Sequence, residues 1–350
     1  MTVSNQTSPP LRLGILGCAN VAKQFARDVT PSEHVNLVAV ASRDAANAKA
    51  FAEAQGIGRH HGSYEALLAD PDVEAIYLPL PNSLHAEWAI KAAAAGKHVL
   101  CEKPLAMGPD EARAMFDAAR QNSVLLLEAY PYAHQPQTQA MVRLIEEGAI
   151  GQVRSMQAVF GFRLMNLKNI RMQPELGGGS LLDAGSYALS IIRLVMGAAP
   201  VRVAADATWA DSGVDISTTA TLYFADGRRA QLSCAMDVAN VRRATISGSD
   251  GTIETEFLNH TSDQAAGNAV GYLPSELRVR RGIAANLPFE PQATATGSGF
   301  RFAAEAFARM VRERDTQAME RAAVVSIENA ATLVALAESG RLGQPVDVRL

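Results

Sequence analysis

The sequence predicts an α/β domain with a doubly wound parallel sheet, followed by an α+β domain built on a mostly antiparallel open sheet. Two observations carry this prediction. From Leu11 to about Glu128, short apolar runs (LRLGILG, VNLVAVA, VEAIYLPL, KHVLC and VLLLE) alternate with Ala-rich stretches such as AEWAIKAAAAG and DEARAMFDAARQ. Each run has the length of a buried parallel strand, and each stretch can lay one apolar face on a sheet. The rhythm is that of successive βαβ units with right-handed crossovers. After a helix from about Gln137 to Glu147 the pattern becomes alternating, in VRSMQAVFGF, VRVAADATW, STTATLYFAD, RRAQLSCAM and VRRATISGS. Alternation of that kind suits half-buried antiparallel strands.

The joints between these elements are marked by their residues. Asp226-Gly227 and Asp250-Gly251 are hairpin turn signals between consecutive alternating segments. A helix from about Ser180 to Met196 interrupts the strands, and two more, near Phe302–Arg314 and Ala322–Ser339, close the chain. Residues 11–130 are expected to form the first domain and residues 131–350 the second, with the last helices able to pack back on the first. The stretch from Asn259 to Gly299, with scattered Gly, Pro, Ala and Thr, shows no clear period.

Composition narrows the class of protein. A chain of 350 residues, 48% of them hydrophobic, can bury a core large enough for two domains. Its 32 basic and 36 acidic residues give a net charge of -4 without a block of either sign, so no nucleic-acid partner is expected. The three cysteines, Cys18, Cys101 and Cys234, show no metal-binding spacing and are expected as reduced thiols in a cytoplasmic protein. The opening MTVSNQTSPP lacks a charged and an apolar segment, and no uninterrupted apolar run reaches the roughly 18 residues that span a bilayer, so neither secretion nor a membrane partner is expected. His60 and His61 adjoin without acidic or cysteine neighbours, so no metal is expected. Met165 and Met172 read as packing residues.

The first strand-to-helix turn, LGILGCANVAKQF, places Gly14, Gly17, Ala19 and Ala22 where a pyrophosphate must approach backbone N–H groups at a helix N-terminus. Gly17, Ala19, Asn20 and Val21 are the candidate contacts. The pattern is GxAxxA and departs from the dinucleotide GxGxxG at its second glycine, which leaves an ordinary tight turn as the alternative. The second strand ends in VAVASRD. Ser42 and Arg43 there offer donors and a positive charge suited to a 2′-phosphate, so NADP is the expected cofactor and NAD the second choice. The alternative for Arg43 is a solvated side chain at a helix start, with Asp44 as its partner or as a ribose contact.

At HVLCEKPLA, residues Glu102, Lys103 and Pro104 after an Ala-rich helix match the EKP motif, and the chain resembles the glucose-fructose oxidoreductase / inositol dehydrogenase / MocA family. Three further segments agree: YLPLPNSLHAEWAIKAAAAGKHVL, EAYPYAHQPQTQAMVRLIEEGAIG and NIRMQPELGGGSLLDAGSYAL. The resemblance runs from Leu11 to about Gly340 and thins between Asn259 and Gly299, and four ordered motifs at consistent spacing are more specific than any one of them. The resemblance implies a Rossmann domain followed by a substrate domain, and nucleotide contacts from Pro79, Leu80, Asn82, His85, Glu102 and Lys103, with Asn82 and His85 near the nicotinamide ribose. Tyr187, where inositol dehydrogenases carry histidine, places the chain nearest the dihydrodiol dehydrogenase, NADP-xylose dehydrogenase and sugar 3-ketoreductase members. Ala133 and Gln135 stand where relatives often carry arginine and histidine.

Hydride transfer at a carbinol carbon must be coupled to proton transfer at its oxygen, so one positioned acid/base is required. Tyr187 is the candidate, because a nearby ammonium would favour the phenolate of a group that titrates near roughly 10. Lys103 offers that ammonium and can polarise a carbonyl. Asp183 lies four residues before Tyr187, on the same helix face, and would orient the substrate hydroxyl or the lysine. The plain alternatives are a carboxylate serving the helix dipole, a core tyrosine and a solvated loop lysine. Arg171, by bonding hydroxyls, and Tyr132, by packing on an apolar sugar face, are further substrate-pocket candidates. Gly177, Gly178 and Gly179 suggest close backbone approach by a ligand or the partner domain. The expected activity is hydride transfer between NADP(H) and a sugar, polyol or vicinal diol. The alternatives are a non-catalytic dinucleotide sensor and an inter-sugar oxidoreductase that never releases its nucleotide. A homodimer or homotetramer through the C-terminal sheet is expected.

Overall fold

The five apolar runs of the first half, with one short polar segment, become six parallel strands in a computed structural model that describes residues 9–350. They are β1 (Leu11–Leu16), β2 (Val35–Ala41), β3 (Arg59–His61), β4 (Ala75–Leu78), β5 (His98–Glu102) and β6 (Leu126–Ala129), in the order 3-2-1-4-5-6. Leu11, Leu13, Ile15 and Leu16 of β1 are all at most 1% exposed, as a strand covered on both faces must be. The crossovers are α1 (Asn20–Val29), α2 (Ala45–Gln55), α3 (Tyr64–Leu68), α4 (His85–Ala94) and α5 (Pro109–Gln121). In α4 the buried residues are His85, Trp88, Ala89, Ala92 and Ala93, and the alanines let the helix sit close on the sheet. Strand β3 escaped the sequence reading because Arg59–His61 is short and polar. It exists because it pairs with β2 at the sheet edge.

The second half begins with α6 (Pro136–Glu146) and builds a nine-stranded sheet. Its strands are β7 (Val153–Arg163), β8 (Arg202–Trp209), β9 (Asp215–Tyr223), β10 (Arg229–Ala235), β11 (Asp237–Gly248), β12 (Gly251–Glu256), β14 (Leu277–Arg281), β15 (Glu290–Pro291) and β17 (Val346–Asp347). A separate two-stranded piece pairs β13 (His260–Thr261) with β16 (Gly297–Ser298). The order of the large sheet is 15-14-12-11-7-10-9-8-17, antiparallel except for the β7–β10 pair. Met156, Ala158, Leu222, Leu232, Ala244, Ile246 and Ile253 face inward against α7 (Ser186–Met196), while Gln157, Thr219, Gln231 and Arg243 point to solvent. Both Asp-Gly pairs fall at hairpin turns, between β9 and β10 and between β11 and β12. The stretch from Asn259 to Gly299 holds strands of two to five residues, too short for a period to be visible.

The last two helices, α8 (Gly299–Glu313) and α9 (Thr316–Leu342), tie the halves together. Phe300 and Phe307 of α8 join the core of the parallel sheet, where Phe25 stacks on Tyr77 at 3.7 Å and meets Phe300 edge-on at 5.7 Å. Ala323 and Ala330 of α9 belong to that same core, whereas Leu333 and Leu336 belong to the core of the large sheet. By length and composition α9 could cross a bilayer, but 56% of its most apolar window is buried inside the protein, as in a core helix. Met165 does not pack: it is 79% exposed in the connection after β7, beside Leu167, which is 71% exposed.

Candidate active site

The carboxyl edge of the parallel sheet and the inner face of the large sheet enclose a cleft of about 830 Å³. Open α/β sheets bind ligands at this edge, where the strand order reverses. Gly17, at the end of β1, has φ +122°, and a β-carbon there would stand 2.9 Å from Leu80 Cδ2, so only glycine fits the turn. Ala19 caps α1 without a side-chain hydrogen bond, so no capping side chain covers the first-turn N–H groups. Ala19, Asn20, Val21 and Gln24 line the cleft on this side, and Pro79, Leu80 and Asn82 line it from the end of β4.

Ser42 and Arg43 sit apart from the cleft wall, at the carboxyl end of β2. Asp44 does not pair with Arg43: its carboxylate caps α2 by accepting from the N–H groups of Ala46, at 2.8 Å, and Asn47, at 3.2 Å. Arg43 is left exposed at the strand tip. The Tyr64 hydroxyl lies 3.9 Å from where a Gly17 β-carbon would be, which adds an aromatic residue to this corner that the sequence reading passed over.

Two of the expected contacts lie elsewhere. His85 is fully buried, its ring nitrogens 2.9 Å from the carbonyl oxygens of Pro104 and Leu80, so it braces two loops from behind the cleft and does not reach a ribose. Burial holds its ring below the usual imidazole range, against the pull of those carbonyls. Tyr132 is likewise 0% exposed. Its hydroxyl is satisfied by Ser190 Oγ at 2.8 Å, and its ring packs beneath Tyr187 and against Phe257, so it cannot touch a sugar face. Gln135 acts from the same segment as a clamp, its amide donating to the carbonyls of Asn259 at 2.6 Å and Gly297 at 3.0 Å.

Lys103, Asp183, Arg171 and Tyr187 do converge. Lys103 follows β5, and its Nζ donates to Asp183 Oδ1 at 2.8 Å and to the Asp183 carbonyl at 2.9 Å, which makes it a paired and largely buried lysine. Arg171 Nε donates to the other carboxylate oxygen, Oδ2, at 2.7 Å. The helix carrying Asp183 differs from the expected one. Residues Leu181–Gly185 form a π-helical turn ahead of α7, and in this wide turn the Asp183 carbonyl accepts from Lys103 as well as from Ser186 Oγ at 3.0 Å. Asp215 on β9 holds the start of that turn, accepting from Ser180 Oγ at 2.5 Å and from the Leu181 N–H at 2.8 Å.

The electrostatics follow from this geometry. Burial would raise the Asp183 carboxyl, but Lys103 and Arg171 outweigh it and hold the group well below the usual carboxylate range. Tyr187 is 5% exposed and lines the cleft. Lys103 Nζ stands 4.7 Å from its ring centroid. Burial nevertheless keeps the phenol above its ordinary value, with Lys103 and Arg242 opposing, so the ammonium offsets part of that rise without reversing it. Glu102 is raised by burial too, against a 2.6 Å hydrogen bond from Tyr77. Asn82 bridges the domains by donating to the Gly177 carbonyl at 2.8 Å. Gly177 has φ +77°, and a β-carbon there would stand 2.7 Å from Asn82 Cβ, a close approach of domains that the glycine run anticipates.

Arg242, Asn259, Phe160 and Phe162 also line the cleft, and none was singled out from the sequence. Arg242 and the two phenylalanines sit on β11 and β7 at inward positions, where alternation marks a buried face but cannot tell a pocket wall from a core. Asn259 lies in the segment without a period.

Comparison with known proteins identifies the family. Residues 11–130 match the model of an oxidoreductase family with an NAD-binding Rossmann fold, and residues 138–254 match the GFO/IDH/MocA C-terminal domain. The chain is 37% identical over 342 residues to D-xylose 1-dehydrogenase (NADP(+)) 2 of Haloferax volcanii, covering 97% of this chain and 100% of that protein. It is 36% identical over 247 residues to trans-1,2-dihydrobenzene-1,2-diol dehydrogenase of Danio rerio, covering 70% of this chain and 74% of that protein. Among solved structures, the 3-ketoreductase KijD10 of Actinomadura kijaniata, in complex with NADP and TDP-benzene, is similar with a TM-score of 0.82 and 31% identity, covering 96% of this chain and 98% of that one. From these matches and from the Lys103–Asp183–Tyr187 arrangement at the sheet edge, the chain belongs to the GFO/IDH/MocA oxidoreductase family.

Proposed function

We propose that the chain is an NADP-dependent oxidoreductase that moves a hydride between the nicotinamide and a CH–OH/C=O carbon of a sugar, polyol or vicinal diol. One observation carries the reading: an ammonium from the first domain and a phenol from the second meet in one cleft, with Lys103 Nζ 4.7 Å from the Tyr187 ring. The Gly17 turn, which leaves no room for a β-carbon, and the uncapped α1 fit a pyrophosphate. The exposed Arg43, with Ser42, fits a 2′-phosphate and favours NADP over NAD. Pro79, Leu80, Asn82 and Glu102 flank the nicotinamide half. Bound NADP(H) supplies or accepts the hydride.

The side chains manage the oxygen. An ammonium has three donors, and Asp183 takes two of those on Lys103, so the third is free to polarise the substrate oxygen. Tyr187 gives that oxygen a proton during reduction and takes it back during oxidation. Asp183 fixes the direction of the ammonium, and Arg171 secures Asp183 while presenting a donor edge to substrate hydroxyls. Supplying NADPH with a panel of ketosugars, or NADP with aldoses and diols, and following nicotinamide absorbance tests the reading. Turnover with at least one compound is expected, and tight nucleotide binding without turnover across the panel would mark a non-catalytic sensor instead.

The assembly is a homodimer or homotetramer through the outer face of the nine-stranded sheet. That face is broad, open and lined by Gln157, Thr219, Gln231 and Arg243, side chains suited to a hydrogen-bonded interface. Sedimentation as a monomer at micromolar concentration would refute it. Three unpaired cysteines, two of them buried, support a reducing cytoplasmic location.

A further inference from the structure

Tyr187 must keep its hydroxyl hydrogen available to the cleft if it is to serve as the acid, and a buried phenol ordinarily spends that hydrogen on the nearest acceptor. The neighbouring tyrosines illustrate this: Tyr77 donates to Glu102 at 2.6 Å, and Tyr132 shares a 2.8 Å bond with Ser190 Oγ. Tyr187 differs, because its oxygen accepts from Asn259 Nδ2 at 2.9 Å. A carboxamide can face either way, and what decides its direction here is Arg242, whose Nη2 donates to Asn259 Oδ1 at 3.0 Å. A guanidinium has no acceptor, so the amide oxygen must face it and the amide nitrogen must face the phenol. The Asn259 backbone is also fixed, its carbonyl accepting from Gln135 Nε2 at 2.6 Å and from the Gly299 N–H at 2.8 Å. Arg242 is held in turn by aromatic faces, with its guanidinium carbon 4.2 Å from the Tyr187 ring centroid, 4.5 Å from that of Phe160 and 5.0 Å from that of Phe257.

We propose that Arg242 and Asn259 are positioning residues, a donor relay that turns the Tyr187 hydroxyl hydrogen away from the protein and toward the substrate oxygen. The inference rests on the reading of Tyr187 as the acid/base. In reduction the Tyr187 O–H bond breaks as the substrate O–H bond forms, its electron pair stays on the phenolate, and Asn259 and Arg242 stabilise that anion without taking part in the transfer. The other groups facing the phenol are Tyr77 of β4, Lys103 and Glu102 from the end of β5, Asp183 with its partner Arg171, and Tyr130 and Tyr132 from the segment after β6. None of them reproduces the relay, because none sets the direction of the Asn259 amide.

The test is Asn259→Asp, a nearly isosteric change that replaces the donor with an acceptor and draws the phenol hydrogen inward. Turnover should fall about 10- to 100-fold with KM and NADPH affinity within about threefold, and the limb of the pH–rate profile that reports the phenol should move up by about one unit or more. In a Tyr187→Phe background the same change should cost less than about twofold, because the relay then has nothing to direct. Arg242→Met, which frees the amide to rotate, should reproduce the pH shift of Asn259→Asp. Nucleotide binding and thermal melting report whether each variant is folded. An equal loss from Asn259→Asp with and without the phenol would overturn the relay. Near-full turnover by Tyr187→Phe itself would instead remove the acid/base reading on which the relay stands.

Discussion

Replacing Lys103 by methionine is the most direct probe of the proposed chemistry, because it removes the ammonium while preserving the length and most of the packing of the stem. The charge lies 4.7 Å from the Tyr187 ring, and at an effective dielectric of about 20 two unit charges at that spacing interact by about 3.5 kcal/mol. An interaction of that size converts to a rate factor of a few hundred. Asp183 remains anchored by Arg171, so the cleft should keep its shape. Turnover is therefore expected to fall by about 100-fold, with NADPH affinity within about threefold. Losing the cation also removes an influence that lowers the phenol, so the Tyr187 limb should move to higher pH. Initial rates across a pH series, with nucleotide affinity from fluorescence, supply both readouts. Turnover within about threefold of the parent at every pH would remove Lys103 from the mechanism.

Arg43→Asp should weaken NADP relative to NAD, since it sets a carboxylate where a 2′-phosphate would lie, and unchanged kcat/KM ratios for the two nucleotides would show that the strand tip does not discriminate. Tyr132→Phe loses the bond to Ser190 and should cost about 1 kcal/mol of stability while leaving turnover within about twofold; a large fall in kcat would place Tyr132 at the substrate after all. Glu74 is held down to about 2, first by hydrogen bonding from Arg312, with burial opposing. Because its folded value lies below its unfolded one near 4.5, the stabilisation is present above about pH 4.5 and is lost as pH falls toward 2. It amounts to at most about 3 kcal/mol before solvent screening. In Glu74→Gln that part of the acid transition should vanish from denaturation curves recorded between those pH values, and an unchanged curve would show that the Glu74–Arg312 pair does not anchor α8.

By itself the amino-acid order determined the parallel sheet, the antiparallel sheet and the main helices, because burial on two faces or on one imprints a period on the residues. It also singled out Gly17, Lys103, Asp183 and Tyr187, whose neighbours in sequence mark a strand end or a helix start. It could not distinguish a cleft-facing tyrosine from a buried one: Tyr132 and Tyr187 carry the same side chain, and only packing around Ser190 and Asn259 separates their roles. His85 looked like a ligand contact until two carbonyl oxygens, from Leu80 and Pro104, enclosed its ring. Arg242 and Asn259 were silent for the same reason, since their bond joins β11 to a segment with no period of its own. Tertiary structure alone decided these roles, because a hydrogen bond between residues far apart in sequence leaves no local pattern, whereas the burial of a strand or a helix repeats every two or every three to four residues.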